Sequence, residues 1–144
     1  MNLSAEHIAN LRKHAAYLRG GNLPVAFDMT WFSEENSDGH RENFALPNGT
    51  CGSVGCVVGH ATISISPANE NEEWWEYSFR VFGIHHVKNS HEWQWLFGPE
   101  WSDTDNSPEG AADRIEWLLD KELPGDWEDQ MFGDKPLCYR EATA

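Results

Sequence analysis

The residues best suited to chemistry lie in one stretch, Cys51-Gly-Ser-Val-Gly-Cys-Val-Val-Gly-His-Ala61. Thiolate and imidazole are zinc ligands, and a cysteine and a histidine four apart on one helix can reach a single ion. Cys56 and His60 have that spacing, and Cys51 stands as a third ligand at the helix entrance. His85, His86, His91 or Cys138 would complete a set of four. Against zinc, the usual knuckle spaces its two cysteines more tightly. The same stretch also reads as a thiol nucleophile, since unpaired amides at a helix N-terminus favour the thiolate of a residue placed like Cys51. His60 is more than two turns from that thiol, and no oxyanion hole or orienting carboxylate is recognisable. The plainer reading makes Cys56 a small core residue and His60 a buried, hydrogen-bonded histidine.

These residues need a helix to carry them. Ser53 is a fitting N-cap, and the helix would run toward Ile65 and stop before Pro67. Gly55, Gly59 and Ile63 share one of its faces, and glycines inside a helix suit close approach of another backbone. The stretch is therefore expected to be the central buried helix of the domain. Around it, Ser4 caps a first helix to Arg19, with Ile8, Leu11, Ala15 and Leu18 as the apolar stripe and Gly20-Gly21 as the stop. Phe27, Trp31 and Phe32 anchor a short segment of undecided type, and residues 34 to 50 read as a polar surface loop. A third helix is expected from about Asn71 to Gly83 with Trp75, Phe79 and Phe82 inward and Trp74 beside that stripe, partly exposed. His85 and His86 fall in a solvated connection. Ser90 caps a short helix to Phe97, and Ser107-Pro108 opens a last one to about Lys121 that buries Ala111, Ile115, Leu118 and Leu119. The expected fold is all-α, a single compact domain of about five helices over residues 1–125, with 126–144 as an acidic, irregular tail packed on it or loose.

Charge is the other strong signal. The 144-residue chain carries a net −14, and residues 92 to 134 hold thirteen Asp or Glu against Arg114 and Lys121. Such self-repulsion keeps a protein soluble and opposes binding to nucleic acid or anionic membrane, while favouring a basic protein partner. No apolar run approaches the ~20 residues of a membrane span. Three cysteines, without a basic flank leading into an apolar core at the N-terminus, imply free thiols in a reducing cytoplasm.

The acidic region also carries Trp93, Trp95, Trp101, Trp117 and Trp127 within 35 residues. Indoles that large are hard to bury together, and exposed ones beside carboxylates suit an interface with an Arg- or Lys-rich surface. The expected contact residues are Trp95, Glu100, Trp101, Asp103, Asp105, Glu116, Asp120, Trp127, Glu128 and Asp129. The competing reading is a solvated acidic surface over an aromatic core.

The N-terminal amphipathic helix, Phe27-Asp-Met-Thr-Trp31 and the Cys51–Ala61 segment together resemble small uncharacterised proteins of phage and prophage genomes. Trp95-Leu-Phe-Gly98, Trp101 and Ser107-Pro-Glu-Gly-Ala-Ala-Asp-Arg-Ile115 are similar in that group, and the resemblance covers residues 3 to about 124. It implies a cytoplasmic protein made during infection, with no activity or catalytic residues attached. The function expected from sequence is a non-enzymatic acidic protein that occupies a basic surface of a host protein, as an inhibitor or nucleic-acid mimic of anti-defence type. The alternative is a small metal-dependent or thiol enzyme, or a ligand-binding protein, centred on Cys51, Cys56 and His60.

Overall fold

A computed structural model describes residues 3–23, 26–27, 29, 54–55 and 57–141. The fold is all-α. Its helices are α1 (Ala5–Arg19), α2 (Val57–Ser64), α3 (Trp74–Phe82), α4 (Ser90–Phe97), α5 (Pro108–Lys121), α6 (Trp127–Met131) and α7 (Cys138–Glu141), with a 3-10 turn over Pro99–Asp103. One two-residue parallel pairing, Ala26–Phe27 with Val54–Gly55, is the extended structure among the described residues.

The helix ends follow from local chemistry. The Ser4 hydroxyl accepts from the His7 amide at 3.1 Å, and the Ser107 hydroxyl accepts from Gly110 at 3.0 Å with Pro108 in the first turn. Each satisfies an amide that the helix itself leaves unpaired. Glu73 and Glu76 close a capping box at the start of α3, and Gly83 ends it at φ 74°, a left-handed conformation that suits glycine.

Among the described residues the most extensive helix pairing is α1 with α5. Arg12 pairs with Asp120 at 2.9 Å, and Arg19 pairs with Glu116 at 2.7 Å and Asp113 at 2.8 Å. Residue number rises along α1 as it falls along α5, so the two helices lie antiparallel. Leu11, Ala15 and Leu18 from α1 meet a core that includes Ala111, Ala112, Ile115 and Leu118 from α5. Burial of this kind, at about 25 cal/mol per Å² of apolar surface, is the main stabilising term.

Two expectations are corrected. The central helix begins at Val57 rather than at Ser53, because Val54 and Gly55 are drawn into the extended pairing with Ala26 and Phe27. Gly55 therefore does not share a helical face with Gly59 and Ile63. On α3 the faces are exchanged: Trp74 is buried, whereas Trp75 is 38% and Phe79 51% exposed. The inward stripe is Trp74, Tyr77, Ser78 and Val81, with Phe82 at its end. It is held by polar contacts that an apolar count overlooks. The Ser78 hydroxyl shares its one proton between the Trp75 and Ile84 carbonyls and accepts from the Trp93 indole at 3.0 Å.

Beyond residue 125 the chain makes α6 and α7. Met131 and Tyr139 are buried in the core, and Gln130 ties the two helices by accepting from the Cys138 amide at 2.9 Å. No helix among the described residues is long and apolar enough to cross a membrane.

Candidate functional site

Cys51, Cys56 and the loop at 34–50 lie outside the described residues. His60 is fully buried in α2, with Nδ1 at 3.0 Å from the Tyr17 hydroxyl and its ring 5.7 Å from Phe27. Beside it His14 is buried too. The Val57 carbonyl can only accept, so His14 Nε2 donates to it at 2.6 Å and Nδ1 accepts from the Ser64 hydroxyl, also at 2.6 Å. Burial lowers the His14 pKa to about 3, the Val57 bond opposes that shift and the neighbouring His60 adds to it. Among the described residues no cluster of three or more His, Cys, Asp or Glu is arranged to hold a metal ion.

The acidic region divides sharply between interior and surface. Trp95 and Trp101 are fully buried, which removes them from any contact surface. The reason lies in their indole N–H groups, which find acceptors inside: Trp95 donates to the Arg114 carbonyl at 3.0 Å and Trp101 to the Gln94 carbonyl at 3.2 Å. Their rings meet edge to face at 5.3 Å.

Asp105 is also committed inward, to a buried cation that the sequence reading missed. Arg114 has no exposed surface, and its guanidinium lies 4.1 Å over the Trp101 ring. It donates to the Tyr139 hydroxyl at 2.8 Å, Tyr139 donates to Asp105 at 2.9 Å, and Arg114 and Asp105 stand 3.6 Å apart. Arg140 reaches the same carboxylate from outside at 3.0 Å. Burial alone would raise the Asp105 pKa. The Ser107 hydroxyl, Arg114, Tyr139 and Arg140 outweigh it and hold the carboxyl below its ordinary range. Burial lowers Arg114 in turn, against the pull of Tyr139 and Asp105. The available signal was a lone arginine inside an acidic helix, which must find a carboxylate if it turns inward.

Glu116 and Asp120 remain on the surface, paired with Arg19 and Arg12. Glu100 is half-buried, and Asp103 is exposed. What gathers at one place is Trp127, Glu128 and Asp129, joined by Asp126 and His91. These residues and Gly125 line a shallow depression of about 270 Å³. The His91 and Trp127 rings lie 5.1 Å apart. The depression rests on a fixed base: Gln130 donates to Asp126 at 2.6 Å, and the Met131 carbonyl accepts from Thr104 at 2.6 Å. Asp126, Glu128 and Asp129 are exposed, and none forms an ion pair among the described residues.

A second aromatic surface lies on the outer face of α3. Trp75, His86, His85 and Phe79 form a row with successive ring separations of 4.7, 5.1 and 5.2 Å, beside Val87 at 65% exposure. The His85 Nδ1 accepts from the Val87 and Lys88 amides, both at 3.1 Å, which fixes the turn after α3.

No family model, curated protein or solved structure matches this chain.

Proposed function

We propose that this protein acts as an acidic docking module, without chemistry of its own, that binds a basic surface of another protein through α6 and its surroundings. The observation that carries the reading is the division of the carboxylates. Arginines of α1 and the C-terminal segment neutralise Asp105, Asp113, Glu116 and Asp120, whereas Asp126, Glu128 and Asp129 are exposed around a half-buried indole and form no ion pair among the described residues. An aromatic anchor with a charged rim is the composition that interfaces favour, and electrostatic complementarity mainly sets encounter rate and specificity. The resemblance to phage proteins supports a partner in the cytoplasm of an infected bacterial host, with this protein as its inhibitor or as a mimic of bound nucleic acid. The net charge of −14 speaks against direct contact with nucleic acid.

The test is capture from bacterial lysate at low salt, about 50 mM, where charge-driven docking is strongest. Asp126→Asn, Glu128→Gln and Asp129→Asn combined should release a partner that the natural chain retains. Neutralising Glu6, Glu70 and Glu109 instead should not. Equal retention by the two triple variants would remove the basis for the reading.

A further inference from the structure

We propose that the groove at the open end of the α1–α5 pair seats a basic amphipathic helix of the partner protein, with its aliphatic residues on the groove floor and its Lys or Arg side chains beside Glu92 and Glu122. This rests on the docking reading above and gives the partner a chemical class. Because α1 and α5 are antiparallel, the start of α1 and the end of α5 fall at the same end of the molecule. There Leu3, Ile8, Leu118, Leu119 and Leu123 form the floor of a groove of about 420 Å³, with Glu92 and Glu122 among its walls. Leu3, Leu119 and Leu123 are only partly buried, although they pack on the core.

Charge decides what fits. Neither Glu92 nor Glu122 has an ion-pair partner among the described residues. Arg12 and Arg19 are committed to α5, and the Lys121 ammonium lies 4.7 Å over the Trp117 ring. Among the described residues no ion pair serves this rim, which suits it to cations brought by a partner. A second copy of a chain with net charge −14 would add repulsion, and an anionic membrane surface would do the same. An apolar floor between two packed helices accepts a third helix by interdigitation of side-chain ridges, with anchors at i, i+3, i+4 and i+7. Glu92 adjoins His91 in sequence, and Leu123 is two residues from Gly125, so the groove neighbours the acidic depression at α6. Glu122 also has φ 63° and ψ 176°, a region normally left to glycine. Such strain collects at ligand clamps.

The experiment titrates the full chain with two synthetic peptides of identical Leu and Lys composition. One places Leu at i, i+3, i+4 and i+7; the other scrambles the spacing. Calorimetry at about 50 mM salt should show the ordered peptide binding at least about tenfold more tightly than the scrambled one. Glu92→Gln with Glu122→Gln should weaken it by about threefold to tenfold, as two exposed charge pairs allow. Glu122 is exposed and Glu92 half-buried, and unchanged circular dichroism and melting would exclude a folding effect. No binding, equal binding of the two peptides, or indifference to the glutamine pair would overturn the proposal. The capture test on Asp126, Glu128 and Asp129 leaves the groove untouched. Patch-dependent capture with a failed groove test would refute this inference alone, and a captured partner indifferent to the patch would refute the docking reading.

Discussion

Lowering the pH from 7 to 5 should cost this protein stability through His14. It is fully buried, its Nε2 is held by the Val57 carbonyl and its Nδ1 by the Ser64 hydroxyl. Its folded pKa is about 3, against 6.5 for an unperturbed histidine. A depressed folded value means that the unfolded chain takes up a proton that the folded chain refuses. The stabilising contribution is complete above pH 6.5 and is lost as pH falls from there toward 3. Each pH unit inside that window costs about 1.4 kcal/mol, so the loss from His14 by pH 5 is about 2 kcal/mol. Burial raises the Glu72 pKa while Arg80 and the Asn69 amide lower it by more, and Asp105 is likewise held low, so both contributions are lost as pH falls from the ordinary carboxylate range toward those lowered values. Urea unfolding at pH 7 and pH 5, for the natural chain and for His14→Gln, isolates the term. The variant is expected to be less stable at pH 7 but to lose about 2 kcal/mol less on acidification. If His14→Gln prevents folding, histidine ring NMR of the natural chain gives the same answer. A His14 resonance that titrates near 6.5 in the folded protein would show that its burial does not depress the pKa.

Other perturbations follow from the buried cluster and the helix ends. Asp105→Asn leaves the Arg114 guanidinium without its buried carboxylate and should destabilise by about 3 kcal/mol in denaturant unfolding. Gly110→Ala should also destabilise, because its methyl group would overlap the Asp105 carboxylate, and the melting temperature reports it. Glu122→Gly should stabilise by about 1 kcal/mol by relieving a backbone conformation costly for any side chain, while weakening a basic peptide in the groove.

Much of the framework is legible in the sequence because its signals are local. Ser4 and Ser107-Pro108 cap their helices within three or four residues of themselves, and the Leu11, Ala15 and Leu18 stripe reads directly as the buried face of α1. What escapes is whatever depends on partners far along the chain. The inward turn of Arg114 needs Trp101, Asp105 and Tyr139, the last 25 residues away. The register of α3 depends on Ser78 receiving the Trp93 indole 15 residues on, and a hydrophobic period counts that serine as polar and outward. Trp95 and Trp101 suggested a surface because two large aromatics sit among acids. Their indole donors find carbonyls inside, and Asp105, close to Trp101 in sequence, is matched by Arg114 and Arg140 from α5 and α7. Trp127, Glu128 and Asp129 are the part of the expected contact surface that stays together on the outside.

The docking role is tested most directly by nitrogen-15 NMR of the full chain during titration with the captured basic partner. The Trp127 indole and the amides of residues 126–129 are expected to shift or broaden first at about 50 mM salt, and raising salt to about 0.5 M should reverse the change. Perturbations centred on Trp75, Phe79 and Val87, with Trp127 unmoved, would contradict that role.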